Sequence, residues 1–252
     1  MSLEGNLEYA LTRVQSQFGR RLGTSEWRRL EASHDLGQYL EAARGGIFGP
    51  WVASLDRSRE THIIERTLRG AWRSYVRTVA TWHPRRWQPW LGWLEWLPTL
   101  GLIAWLEHAG PMPAWLLADP IVGPAARGAS AERPVAVKGT ALAIFEPAIA
   151  GRVPLPELWL TRWRELQPPL DAFTGQLLAS VSRAVQEHVR RLALENADAA
   201  ALRDQLGERF NKLFRAAAGT LVATLCHLVL MALDFERLRG GLVNRSLFAR
   251  GR

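Results

Sequence analysis

Leu202-Arg203-Asp204-Gln205-Leu206-Gly207-Glu208-Arg209-Phe210-Asn211-Lys212-Leu213 leads on through Ala217, Leu221, Leu225 and Leu228 with an apolar residue at every third or fourth position. That step is the signature of one helix face, because a helix turns about 100° per residue whereas a strand alternates every two. The stripe predicts a helix of about 40 residues. Asp198 suits its N-cap, and Gly240-Gly241 suits its end, with Arg237 and Arg239 near the negative pole of the helix. Upstream, Leu170, Phe173, Leu177, Val181, Val185, Val189 and Leu192 mark a second long helix, separated from the first by a short break at Asn196-Ala197. Two long helices joined so tightly are expected to pack antiparallel.

The same periodicity recurs toward the N-terminus. Leu7, Leu11, Val14 and Phe18 form one stripe, and Leu36, Tyr39, Leu40 and Ala43 another, with Ser33 as a cap, Asp35 in the first turn and Gly45-Gly46 as the stop. Ile64, Leu68, Trp72, Tyr75, Val79 and Trp82 lie on a helix expected from Asp56 to Trp82, halted by Pro84. Between His108 and Pro156 the composition turns to proline, glycine and alanine. Pro111, Pro113, Pro120, Pro124, Pro134, Pro147, Pro154 and Pro156 leave room for single turns near Pro113 to Leu117 and Thr140 to Phe145, and Gly123 to Arg133 reads as a mobile loop. Val135 to Ile144 is the one doubtful strand. The expected fold is therefore all-α: helical modules at 1–107 and 157–252, joined by a Pro/Gly-rich connector at 108–156.

A chain of 252 residues has the length to bury a core without staples. Cys226 is the only cysteine and sits in an apolar run, so a disulfide framework and a thiolate metal cluster are both excluded within one chain, and a reducing cytoplasm is expected. Met1-Ser2-Leu3-Glu4-Gly5 shows no secretory pattern. The longest apolar run, Thr220 to Leu233, falls short of the roughly 20 residues a membrane span needs. The expected location is cytoplasmic or peripheral to the inner face of a membrane. Lys138 and Lys212 are the only lysines, so the net charge of +8 is carried by arginine, dispersed and interleaved with acids in the manner of solvated helix faces.

Catalytic or metal-binding spacing is not found. His34, His62, His83, His108, His188 and His227 never stand three or four residues apart, as two ligands on one helix face would. Gly45-Gly46-Ile47-Phe48-Gly49 follows a helix and lacks a lysine, which fails the phosphate-loop context. No cofactor, metal or nucleotide is expected. Trp87, Trp90, Trp93 and Trp96 stand at every third residue, with leucines between them and Arg85-Arg86 in front. On an α-helix such a series drifts round the surface and makes a broad band, read either as core packing or as a partner surface. Because four exposed indoles would exceed the few hundred Å² that soluble monomers leave bare, Arg85, Arg86, Trp87, Trp90, Trp93 and Trp96 are the candidate partner-binding residues. The partner expected is a protein, in a membrane-embedded complex or a central stalk, or a second copy. Leucines between the indoles argue against nucleic acid, which stacks on bare aromatic platforms.

The succession Tyr9, Arg13 and Leu22, then Ser25-Glu26-Trp27-Arg28-Arg29-Leu30, then Asp35-Leu36-Gly37-Gln38-Tyr39-Leu40, the break Gly45 to Pro50, and the helix from His62 to Trp82-His83-Pro84 resembles the N-terminal module of the C/d-type subunit family of V-type ATPases. Met231 to Arg239 resembles that family's closing helix. The resemblance implies a non-enzymatic helical funnel of three modules that sits on the rotor ring, accepts the central stalk and transmits rotation in proton transport. The chain departs from it by being short, by the proline-rich stretch in place of a middle module, and by Trp93-Leu94-Glu95-Trp96-Leu97 where acidic and asparagine positions are usual. The alternatives are a peripheral membrane or protein-binding adaptor unrelated to rotary ATPases, and an enzyme whose site is assembled from distant residues.

Overall fold

The apolar stripes form helices in the computed structural model, which describes residues 3–57, 60–108, 110–192, 194, 196 and 198–249. Among these residues no strand occurs, and the protein is all-α. In chain order α1 spans Leu3–Gly19, α2 Thr24–Glu31, α3 Leu36–Arg44, α4 Gly49–Val52 and α5 Thr61–Thr81. A 3-10 turn at Arg85–Trp87, α6 at Gln88–Gly92, a 3-10 segment at Trp93–Thr99 and α7 at Leu100–Trp105 follow. Then come α8 (Ala114–Leu117), α9 (Gly123–Ala126), α10 (Arg133–Ala136), a 3-10 turn Ala143–Phe145, α11 (Glu146–Ile149) and α12 (Leu155–Glu165). The chain closes with α13 (Ala172–Leu192), α14 (Ala199–Ala216) and α15 (Leu221–Ala249).

Two compact units result, one joining Met1–Leu91 to Pro168–Arg252 and the other Gly92–Gln167. The divisions therefore fall elsewhere than at 107 and 156. The proline-rich stretch 108–156 lies inside the second unit together with the segment from Gly92 and with α12. Prolines there do what they do at helix starts: α9, α10, α11 and α12 each carry one in the first two positions, where no amide donor is missed. Gly123 to Arg133, expected as a loop, contains α9, whose Gly123, Ala125 and Ala126 are buried. The buried Arg133 guanidinium donates to the carbonyls of Leu106 and His108, free acceptors beyond the C-terminus of α7, and to that of Gly128 after α9.

In the first unit α15 is the central element, packed on α14, α5, α1, α3 and α13. Its first half is largely apolar and buried, with Leu221, Val222, Leu225, Cys226, Leu228, Leu230 and Met231 inside, as a helix surrounded by others requires. Trp51, Trp72 and Phe235 meet in tilted and edge contacts with centroids 5.8–6.5 Å apart.

Three local expectations are corrected. Asp35, rather than Ser33, is the N-cap of α3 and accepts from the Gln38 amide. The single long helix expected from Asp198 is two, α14 and α15, with the chain turning at Ala217 to Thr220 where Gly219 has φ +83°, a conformation that glycine enters without penalty. Gly240-Gly241 does not end α15, which continues to Ala249. Gly241 is there for packing: a Cβ on it would overlap the Tyr39 hydroxyl and stand 2.5 Å from Tyr39 Cζ. Tyr39 cannot yield, being fully buried, with the Arg245 guanidinium 4.2 Å from its ring centroid. Gly241→Ala is therefore expected to destabilise the protein by about 1–3 kcal/mol, the range for overpacked cores. Gly240→Ala, which meets open space, is expected to stabilise it by up to about 1 kcal/mol through helix propensity. Urea titration of the two variants checks both signs.

Candidate interaction site

The hairpin of α13 and α14 is built from caps and one stripe. Asp171 Oδ1 accepts the Thr174 amide at 2.8 Å and Oδ2 accepts the Thr174 hydroxyl at 2.6 Å, fixing the first turn of α13. Those bonds favour the charged form and hold the Asp171 carboxyl below its ordinary value. At the other side of the turn, where Ala197 lies outside the described residues, Asp198 caps α14 by accepting the Ala200 and Ala201 amides at 3.0 Å each. The helices run antiparallel: Ala184, His188 and Arg191 share a groove with Leu202, Leu206 and Arg209, and Arg191 Nη1 donates to Gln205 Oε1 at 2.8 Å.

Thr174, Leu178, Val181 and Ala184 of α13 are buried. Beyond Ala184 the stripe runs on uncovered. Val185 is 37% exposed, Val189 59% and Leu192 41%; at 100° per residue Val185 and Leu192 lie about 10° and Val189 about 50° from the mean direction of Leu178 and Val181. The spacing of four then three is that of a coiled-coil seam, in which Val189 takes the a position and Val185 and Leu192 take d. Gln186 and His188 flank it, whereas Arg183 and Arg190 lie further round the helix and Arg191 turns toward α14, where it meets Gln205. Glu187, the one acid of α13, projects about 170° away from the seam, where it pairs with Arg190 at 3.0 Å. His188 is held below the ordinary imidazole value by burial and then by the guanidinium groups of Arg191 and Arg203.

The six residues singled out by sequence do not form this surface, nor any surface band. Trp87, Trp90, Trp93 and Trp96 are all buried, the most accessible being Trp93 at 9%. The expectation of an exposed aromatic band is corrected: no single α-helix carries the series, which puts Trp87 on a 3-10 turn, Trp90 on α6 and Trp93 and Trp96 on a second 3-10 segment, and all four rings are buried. Trp93 to Thr99 is a 3-10 helix, with three residues per turn, so a step of three stays on one edge instead of drifting round. That edge faces inward. In the second unit Trp93 stacks on Phe145 and Trp159, with centroids 5.5 and 6.4 Å away, and its Nε1 donates to the Trp159 carbonyl at 3.1 Å. Trp96 meets Phe145 edge-on at 5.2 Å. In the first unit Trp87 and Trp90 contact each other at 6.1 Å, and the exposed Arg86 lies over the Trp87 ring at 5.3 Å. Arg85 is exposed.

A buried polar layer in the first unit escaped sequence reading altogether. Arg21 binds Asp234 through two hydrogen bonds of 2.7 and 3.0 Å and reaches Asn211 at 3.3 Å. Tyr75 Oη and His227 Nε2 are 2.6 Å apart, and His83 Nε2 stands 3.0 Å from the Thr224 hydroxyl. Burial raises the Asp234 carboxyl and the Tyr75 phenol, and pushes His83 down to about 4 and His227 down to about 3. Cys226 is pushed up to about 12 by burial and stays a thiol. Near neutral pH these groups are thus a neutral phenol, two neutral imidazoles and an ion pair, which tie the end of α1 to α5, α14 and α15. Among the described residues, no three His, Cys, Asp or Glu side chains are grouped to hold a metal ion, and no helix is long and apolar enough to cross a membrane.

Comparison with family models, curated proteins and solved structures finds no match to this chain.

Proposed function

We propose that this protein is a non-catalytic helical scaffold that holds a partner protein on the uncovered end of the α13 seam. What supports the reading is the continuity of one stripe that is core up to Ala184 and bare at Val185, Val189 and Leu192. Each apolar Å² withdrawn from water there contributes about 25 cal/mol, so a cover of matching shape is favoured. In this reading the buried polar layer serves the fold, setting the register of α15 against its neighbours. The narrower form is a coupling protein between a rotor ring and a central stalk, for which the succession of helices from Tyr9 to Pro84 speaks through its resemblance to the C/d-type subunit family of V-type ATPases.

Site-specific photo-cross-linking in the native cell tests both forms. A benzophenone side chain in place of Val189 is expected to yield one discrete adduct, lost when Leu192→Asp is added. The same group in place of the exposed Glu208 of α14 serves as control. A rotary ATPase component in the adduct supports the narrower form, and no adduct at 189 above the control overturns the scaffold reading. Val189→Asp itself is expected to leave stability within about 0.5 kcal/mol, as surface substitutions do, because the side chain is 59% exposed.

A further inference from the structure

We draw no further inference here: the strongest candidate, the uncovered apolar face of α13 at Val185, Val189 and Leu192, belongs to the site already described, and nothing in the structure shows what covers it.

Discussion

Trp93→Ala is expected to cost about 3–5 kcal/mol of stability, the range for large aromatic truncations in cores. The indole is packed between Phe145 and Trp159 and donates its one hydrogen bond to the Trp159 carbonyl, so truncation removes a stack on each side and opens a cavity that rigid neighbours refill poorly. A docking residue would behave oppositely, leaving unfolding unchanged and weakening association. Chemical denaturation followed by circular dichroism distinguishes the two: a loss under about 1 kcal/mol would mean that the ring lies outside the core after all. Trp115→Ala, at a ring 36% exposed in the same unit, supplies the smaller reference loss.

Stability is expected to fall as the pH drops from about 6.5 toward 4, with His83 and His227 as the main cause. Both imidazoles are buried, with folded values of about 4 and about 3 set by desolvation against an ordinary value of 6.5. The unfolded chain therefore takes up protons below pH 6.5 that the folded chain refuses until much lower pH. The stabilisation from the neutral rings is complete above 6.5 and is lost as the pH falls through that window. At about 1.36 kcal/mol per pH unit, each histidine removes roughly 2 kcal/mol by about pH 5. Asp234 acts the other way, since its raised carboxyl gains protons in the folded state first, so single variants isolate the imidazoles better than the bare curve does. His227→Gln and His83→Gln should each reduce the slope of stability against pH by about one proton between pH 6 and 5. Unchanged slopes in both would show that the rings are protonated in the folded state.

Much of the local structure was legible because its causes are local. Pro84 ends α5 within three residues, Asp198 caps α14 through its own side chain, and the stripe through Val181, Val185, Val189 and Leu192 is a matter of spacing alone. Even the surface now proposed as the docking seam was written in that spacing. What the spacing omits is where its cover stops, since Val181 and Val185 look alike in sequence and differ only in what lies over them.

The tertiary structure decided the rest. Trp87, Trp90, Trp93 and Trp96 read as a surface band only if one α-helix carries them all; the chain instead holds Trp90 on α6 and Trp93 and Trp96 on a 3-10 segment, and buries all four. Gly240-Gly241 reads as a helix stop until Tyr39, 202 positions earlier, is seen to need the space beside Gly241. Arg21 with Asp234 and Tyr75 with His227 are separated by 213 and 152 residues, so no short-range pattern links them. The sequence by itself determined the all-α class, the C-terminal end of α5 and the cap of α14, because backbone hydrogen bonding, caps and amphipathic period act over a few residues. Which faces are covered, which helix continues through a glycine pair and which distant polar groups meet were decided only in three dimensions, because burial and desolvation depend on neighbours brought together by the folded chain.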